Sequence, residues 1–436
     1  MRKAAGGLLL VLVLALAACH PAFKPETERL MAPEGTLAFP FKNAFVATVV
    51  GTAAADRVVL PKDIPIQQRT LPVVEDRVVP RVLWYENRFR YSIAAQSGKA
   101  PLVFIVAGTN AGYSTRLSTY LQQLFFTAGF HAVSLSSPTF PNFMVTGSTT
   151  SVPGWTAQDA ADLYQIMQRV LADVRPRVEI SDVSLTGYSL GAWHSAFVAA
   201  LDQKQQAIGF RKVLLINPPV SLYRSSRVLD EMLVKNLPGG IDNLDAFVRN
   251  VVERLAELYR QNQGVTFSHD MLLDAYDALR PTEEQLAAVI GAVFRLASAN
   301  IAFTADVMSQ SGYLVPVGRE LRISTSLTPF FDAGMRRGFI QYFEELLYPY
   351  YQRRYPTLTR QQIIAAASLE SIEPFLAQAP NVGLVTSKDD IILAPGDIAF
   401  MQRTFGERAT FFDNGGHCGN MMDAHVAAAY LRFMMQ

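Results

Sequence analysis

Between residues 100 and 216 the chain alternates two kinds of hydrophobic pattern. Residues 102–106, 131–135, 182–186 and 212–216 are short blocks rich in Val, Leu, Ile and Phe, whereas 117–128 and 157–174 are longer and amphipathic. The short blocks predict buried strands and the longer ones helices, an alternation that builds a mainly parallel sheet with helices on both faces. Upstream, the β-prone runs 45–50 and 81–85 predict the leading antiparallel strands of that sheet. After Pro219 the period changes. Leu244, Phe247, Val248, Val251, Val252, Leu255, Leu258 and Tyr259 recur at helical spacing, which gives one apolar face. Thr282 and Gln285 read as a capping box for the apolar positions 286–294. A third segment, 330–351, is rich in Phe and Tyr, and the strand pattern returns only at 382–386.

At the end of the run 182–186 the sequence reads Gly187-Tyr188-Ser189-Leu190-Gly191 and continues into an Ala-rich helical stretch. A G-x-S-x-G at a strand-to-helix turn is the context of a nucleophile elbow. The flanking glycines have no Cβ to clash, so the hydroxyl is carried clear of the backbone. The bland alternative is a turn serine. What surrounds the motif argues for chemistry. The strand-like run 101–106 leads into a small-residue loop, 107–112, whose amides are available to an oxyanion. The run 382–386 ends in Ser387-Lys388-Asp389-Asp390, and His417 follows between Gly415, Gly416 and Gly419. The order is Ser, Asp, His.

With these residues the chain resembles the α/β-hydrolase superfamily, over roughly residues 80–225 and 380–436. The resemblance implies an α/β-hydrolase fold with a helical cap inserted after the sixth strand. It assigns Ser189 as nucleophile, His417 as general base and the amides of Leu190 and Thr109 as oxyanion hole. For the triad acid it favours Asp390 and leaves Asp389 as the alternative. Ala107-Gly108 stands where the family often has His-Gly, and Ser387 where it usually has glycine. No cofactor is implied, and H-e-x-x-H or C-x-x-C metal motifs do not occur. His131 and His194 read as structural residues.

Composition narrows the partners. Lys+Arg number 39 and Asp+Glu 38, a formal charge of +1 without a basic run, so nucleic acid is an unsuitable partner. Half of the residues are hydrophobic and 18% are charged, enough apolar surface for a large core and a lipophilic ligand.

The N-terminus carries a separate signal. Met1-Arg2-Lys3, the apolar stretch 7–14 and Leu16-Ala17-Ala18-Cys19 resemble a bacterial lipoprotein signal, which implies lipidation, palmitate included, at Cys19. The alternative is an ordinary secretory peptide. His20 follows the cysteine where the inner-membrane retention signal has Asp, so the expected location is the outer membrane, facing the periplasm. With Cys19 lipidated, Cys418 is the only cysteine left with a free thiol; beside His417 it reads as a small loop residue.

The expected organisation is a signal peptide at 1–19, a Pro-rich tether at 20–44, hydrolase segments at 45–224 and 376–436, and a cap at 225–375. The expected activity is that of a cell-envelope serine hydrolase cleaving an acyl or aryl ester, with a small-molecule or lipid ester as substrate. Rival readings are an amidase, peptidase, thioesterase or acyltransferase, or a non-catalytic binding protein on the same fold.

Overall fold

The strand blocks pair as their alternation requires. In the computed structural model, which describes residues 25–33, 39–74, 77–261 and 269–436, they form one sheet. Its strands are β1 Ile66–Leu71, β2 Phe89–Ala94, β3 Ala100–Val106, β4 His131–Leu135, β5 Ile180–Tyr188, β6 Phe210–Ile216, β7 Val382–Ser387 and β8 Ala409–Phe412. The spatial order is β1-β2-β4-β3-β5-β6-β7-β8. Pairings involving β2 are antiparallel and those from β4 to β8 are parallel. This is the α/β-hydrolase fold.

Both faces of the sheet are buried, which is why its strands are apolar at nearly every position. Along β3, Leu102, Phe104 and Val106 enter the core under the helices Thr156–Val174 and Leu190–Gln205. Val103 and Ile105 enter the opposite core, under Arg116–Thr127 and Ala424–Met435. The period of two along a pleated strand sends neighbours to opposite faces.

Two upstream expectations are corrected. Residues 45–50 lie in a helix, Ala44–Val50, and Arg81–Leu83 in a single 3-10 turn. The first two strands are instead 66–71 and 89–94. Intrinsic preference for strand at Phe45, Val46, Thr48, Val49 and Val50 is overridden by end chemistry. Asn43 Oδ1 accepts from the amides of Phe45 and Val46, and Gly51 closes the other end at φ 72°, each satisfying groups that a free helix end leaves unpaired. Within the expected tether, Pro25–Met31 is helical and docks on Ala424–Met435, with Leu30 buried and Arg432 donating to the Met31 carbonyl. Cys19 and the rest of the signal segment lie outside the described residues.

Between β6 and β7 the chain is helical from Leu222–Asn236 to Glu373–Gln378. The longest of these helices, Glu283–Ser309, begins at the Thr282–Gln285 capping box. Its length and hydropathy would suit a membrane span, but 72% of its most apolar window is buried inside the protein. It packs against Leu222–Asn236 and against Pro141–Thr146 of the hydrolase part. Cap and sheet therefore share buried surface directly above the carboxyl ends of the strands.

Candidate active site

Ser189 sits between β5 and the helix Leu190–Gln205, at φ 53° and ψ −126°. A left-handed conformation at a residue with a Cβ is strained and persists only where its surroundings enforce it. They do so here through glycine. A Cβ on Gly187 would lie 2.5 Å from the Gly191 backbone, and one on Gly191 would lie 2.2 Å from the Val106 carbonyl oxygen. The Ser189 amide donates to the Ile216 carbonyl at 2.8 Å, which locks the turn to β6.

The hydroxyl of Ser189 lies 2.9 Å from His417 Nε2. On the far side of the ring, Nδ1 is 2.9 and 3.0 Å from the two carboxylate oxygens of Asp390. All three residues are buried, at 7%, 7% and 5% exposure, so water competes little for these bonds. Asp390 is itself held: Ile392 N–H donates to Oδ1 and Asn217 Nδ2 to Oδ2, both at 3.1 Å. Asp389 does something else. Its carboxylate accepts from the amides of Gly415 and Gly416 at 3.2 and 2.9 Å, bracing the loop that carries the histidine.

That loop is supported from three sides. Thr48 Oγ1 accepts the His417 amide at 2.9 Å, from the helix near the start of the described chain. Asn420 Nδ2 donates to Ser387 Oγ at 3.0 Å, which ties the end of β7 to the loop. Gly416 has φ 55° and passes so close to Ala44 that a Cβ would lie 2.3 Å from its carbonyl oxygen. Burial is the largest single effect and pushes the His417 imidazole down, but the Asp390 carboxylate against Nδ1 and Cys418 beside Nε2 together outweigh it and hold the ring well above its ordinary 6.5. Cys418 Sγ stands 3.8 Å from the same Nε2 that faces Ser189.

The amides of Leu190 and Thr109 have no acceptor in the hydrogen-bond network of the described residues. Leu190 opens the elbow helix, and Thr109 follows β3 on a loop fixed by Asn110, whose amide donates to Thr139 Oγ1 at 2.8 Å. The cap reaches this loop as well, through Asn300 Nδ2 donating to Asn110 Oδ1 at 3.1 Å. Thr109, Ser189 and Leu190 line one cavity of about 100 Å³, whose other walls include the cap residues Leu229, Phe294, Phe339 and Phe343.

The structure thus brings Ser189, His417 and Asp390 into one hydrogen-bonded line, with Leu190 and Thr109 beside the serine. Sequence reasoning missed Asn217 and Thr48. Asn217 had a signal, a polar residue directly after the apolar β6, at the strand end where ligands gather in α/β sheets; Thr48 had none. His131 is structural as read, with Gln96 N–H donating to Nδ1 and Nε2 facing the Glu179 carbonyl, each at 3.0 Å. His194 is different: it lines the cavity.

Among solved structures the chain is similar to a thermostable esterase from Pseudomonas putida ECU1011, at 13% identity and a TM-score of 0.42, over 95% of this chain and 96% of that one. It is also similar to Est1E from Butyrivibrio proteoclasticus (10%, 0.37, 84% and 97%) and to a thioesterase domain from the curacin biosynthetic pathway (12%, 0.38, 85% and 99%). No family model and no curated protein matches it.

Proposed function

We propose that the protein is a serine hydrolase that cleaves carboxylic esters of short acyl groups through an acyl-enzyme on Ser189. The observation that carries this reading is the line Asp390–His417–Ser189 opening on an apolar cavity. A serine hydroxyl is a weak nucleophile at neutral pH and needs a base within hydrogen-bond reach. Nε2 of His417 takes the Ser189 proton as Oγ bonds to the ester carbon. The amides of Leu190 and Thr109 receive the developing oxyanion. When the carbon–oxygen bond to the alcohol breaks, Nε2 returns the proton to the leaving oxygen; water then repeats the sequence on the acyl-enzyme. Asp390 keeps the ring in the tautomer that presents a bare Nε2 and stabilises the imidazolium.

Cavity size supports a short acyl group. About 150 Å³ suffices to hold benzene, and this cavity has about 100 Å³. A group of roughly four or five heavy atoms fits within it. Incubation with a fluorophosphonate probe tests the reading: wild type should label at Ser189, and Ser189→Ala should neither label nor turn over p-nitrophenyl butyrate above about 10⁻⁴ of wild type. Near wild-type turnover in folded Ser189→Ala would overturn it. We infer further that a lipidated Cys19 holds this hydrolase at the outer membrane, in the periplasm; the resemblance of residues 1–19 to a lipoprotein signal supports that location.

A further inference from the structure

The cavity beside Ser189 is mainly apolar, with scattered hydroxyl side chains, and one buried ionisable pair of opposite type stands in its wall away from the triad. There the imidazole of His194, from the elbow helix, faces the carboxylate of Asp159, from the helix Thr156–Val174. His194 is 1% exposed and Asp159 3%. Neither ring nitrogen of His194 has a hydrogen-bond partner among the described residues. Its Nε2 stands 3.8 Å from Asp159 Oδ2, too far for a hydrogen bond and close enough to be bridged by one atom bonded to both. Leaving both nitrogens of a buried imidazole unmatched is costly. A buried polar group without a partner, at the wall of a ligand cavity, is a place where a ligand atom belongs.

We propose that Asp159 and His194 form a hydroxyl-recognition subsite, selecting esters whose short acyl chain carries a terminal hydroxyl group; this rests on the hydrolase reading of Ser189 and names its substrate class. The donor pattern chooses the group. The facing carboxylate favours the tautomer with its proton on Nε2. Whatever bridges the gap must accept from that N–H and donate to the carboxylate. A hydroxyl does both, whereas an ammonium offers donors only and a methyl group neither. Asp159 is fixed for the task, because Oδ2 already accepts the Gly154 amide at 2.7 Å. Trp193 packs edge-on to the His194 ring with centroids 5.1 Å apart, which holds the imidazole in place.

The position along the acyl chain follows from the helix. His194 lies five residues beyond Ser189, about 7.5 Å of helical rise, shortened because helical side chains lean towards the N-terminus. A hydroxyl at the far end of a five-carbon acyl group reaches the pair, and one next to the ester carbon does not.

The test measures kcat/KM for ethyl 5-hydroxypentanoate, ethyl pentanoate, ethyl 3-hydroxybutyrate and ethyl 5-aminopentanoate, by ethanol release. Wild type should prefer 5-hydroxypentanoate over pentanoate by about 10- to 100-fold, the range of one hydrogen bond to a charged partner. In His194→Phe, which keeps a flat ring without nitrogens, that ratio should collapse towards one. Asp159→Asn, which still offers Gly154 an acceptor, should reduce it as well and serves if the Phe variant does not fold. The ratio is the readout, and fluorophosphonate labelling reports separately whether Ser189 is intact. A wild type without preference, a preference that survives both variants, or a stronger preference for the amine would overturn the subsite. If wild type does not label, the hydrolase reading fails instead. Thermal shift with free 5-hydroxypentanoate against pentanoate then decides the subsite alone: protection by the hydroxy acid in wild type and not in His194→Phe supports it, and equal protection overturns it.

Discussion

Two adjacent carboxylates with different partners allow a sharp experiment. Replacing Asp390 by Asn removes the charge that faces the imidazolium formed during attack. Taking the 2.9 Å contact as the separation and an effective dielectric of 20, the lost attraction is about 6 kcal/mol; with charge centres at about 4 Å it is about 4 kcal/mol. At 1.36 kcal/mol per decade these correspond to a loss of roughly 10³ to 10⁴ in acylation rate. The amide also turns its NH2 towards one of the two donors, Ile392 N–H or Asn217 Nδ2, which adds to the loss. Asp389→Asn removes no charge from the ring. Its remaining oxygen still accepts one of the two glycine amides, so the cost is that of about one hydrogen bond, ~1 kcal/mol, and the rate falls less than about tenfold. Single-turnover acylation by p-nitrophenyl butyrate, with circular dichroism to verify folding, separates the two. A larger loss in Asp389→Asn than in Asp390→Asn would refute the assignment of the carboxylate, and equal losses would refute the separation of roles.

The raised His417 value predicts that kcat/KM climbs with pH along a limb centred above 6.5, and that Asp390→Asn moves this limb down; a limb at or below 6.5 in wild type would contradict it. The sign for stability is opposite: the charged pair contributes fully below about 6.5 and is lost as pH rises through the raised folded value, so the wild-type melting temperature, measured against pH, should fall across the window in which activity rises. Gly191→Ala puts a methyl 2.2 and 2.5 Å from the carbonyl oxygens of Val106 and Ala107, backbone atoms that cannot step aside; a destabilisation of about 1–3 kcal/mol or more and slower probe labelling should follow, read by denaturant melts and labelling rates. Cys19→Ser should release active enzyme from the membrane fraction and abolish incorporation of a fatty-acid analogue, whereas a variant that stays in the membrane fraction would sink the anchor.

The hydrolase fold was legible because its parallel strands are buried on both sides and so appear as uninterrupted apolar blocks, separated by helical spacing. The elbow was legible because glycine is required on both sides of Ser189, and close packing of Gly187 and Gly191 leaves no substitute. Residues 45–50 misled for the opposite reason. Their strand preference is a weak force beside the Asn43 cap and the contacts with the histidine loop. The pair Asp159 and His194 was invisible as a pair, since 35 positions separate them and only the packing of two helices against the sheet brings them together. Asp389 and Asp390 posed a subtler difficulty: adjacent residues point different ways at a strand end, and which one meets the ring depends on the path of the chain after Ser387.

The bond from Thr48 to the His417 amide spans 369 residues. Contacts this distant in sequence must meet the entropy of closing a long loop before they return any energy. A chain synthesised from its N-terminus therefore exposes the helix Ala44–Val50 long before its counterpart exists, and His417 is seated only when these two distant segments have come together. On refolding from denaturant, helix signal should recover ahead of hydrolysis, and the interval between the two measures how late the catalytic machinery is assembled.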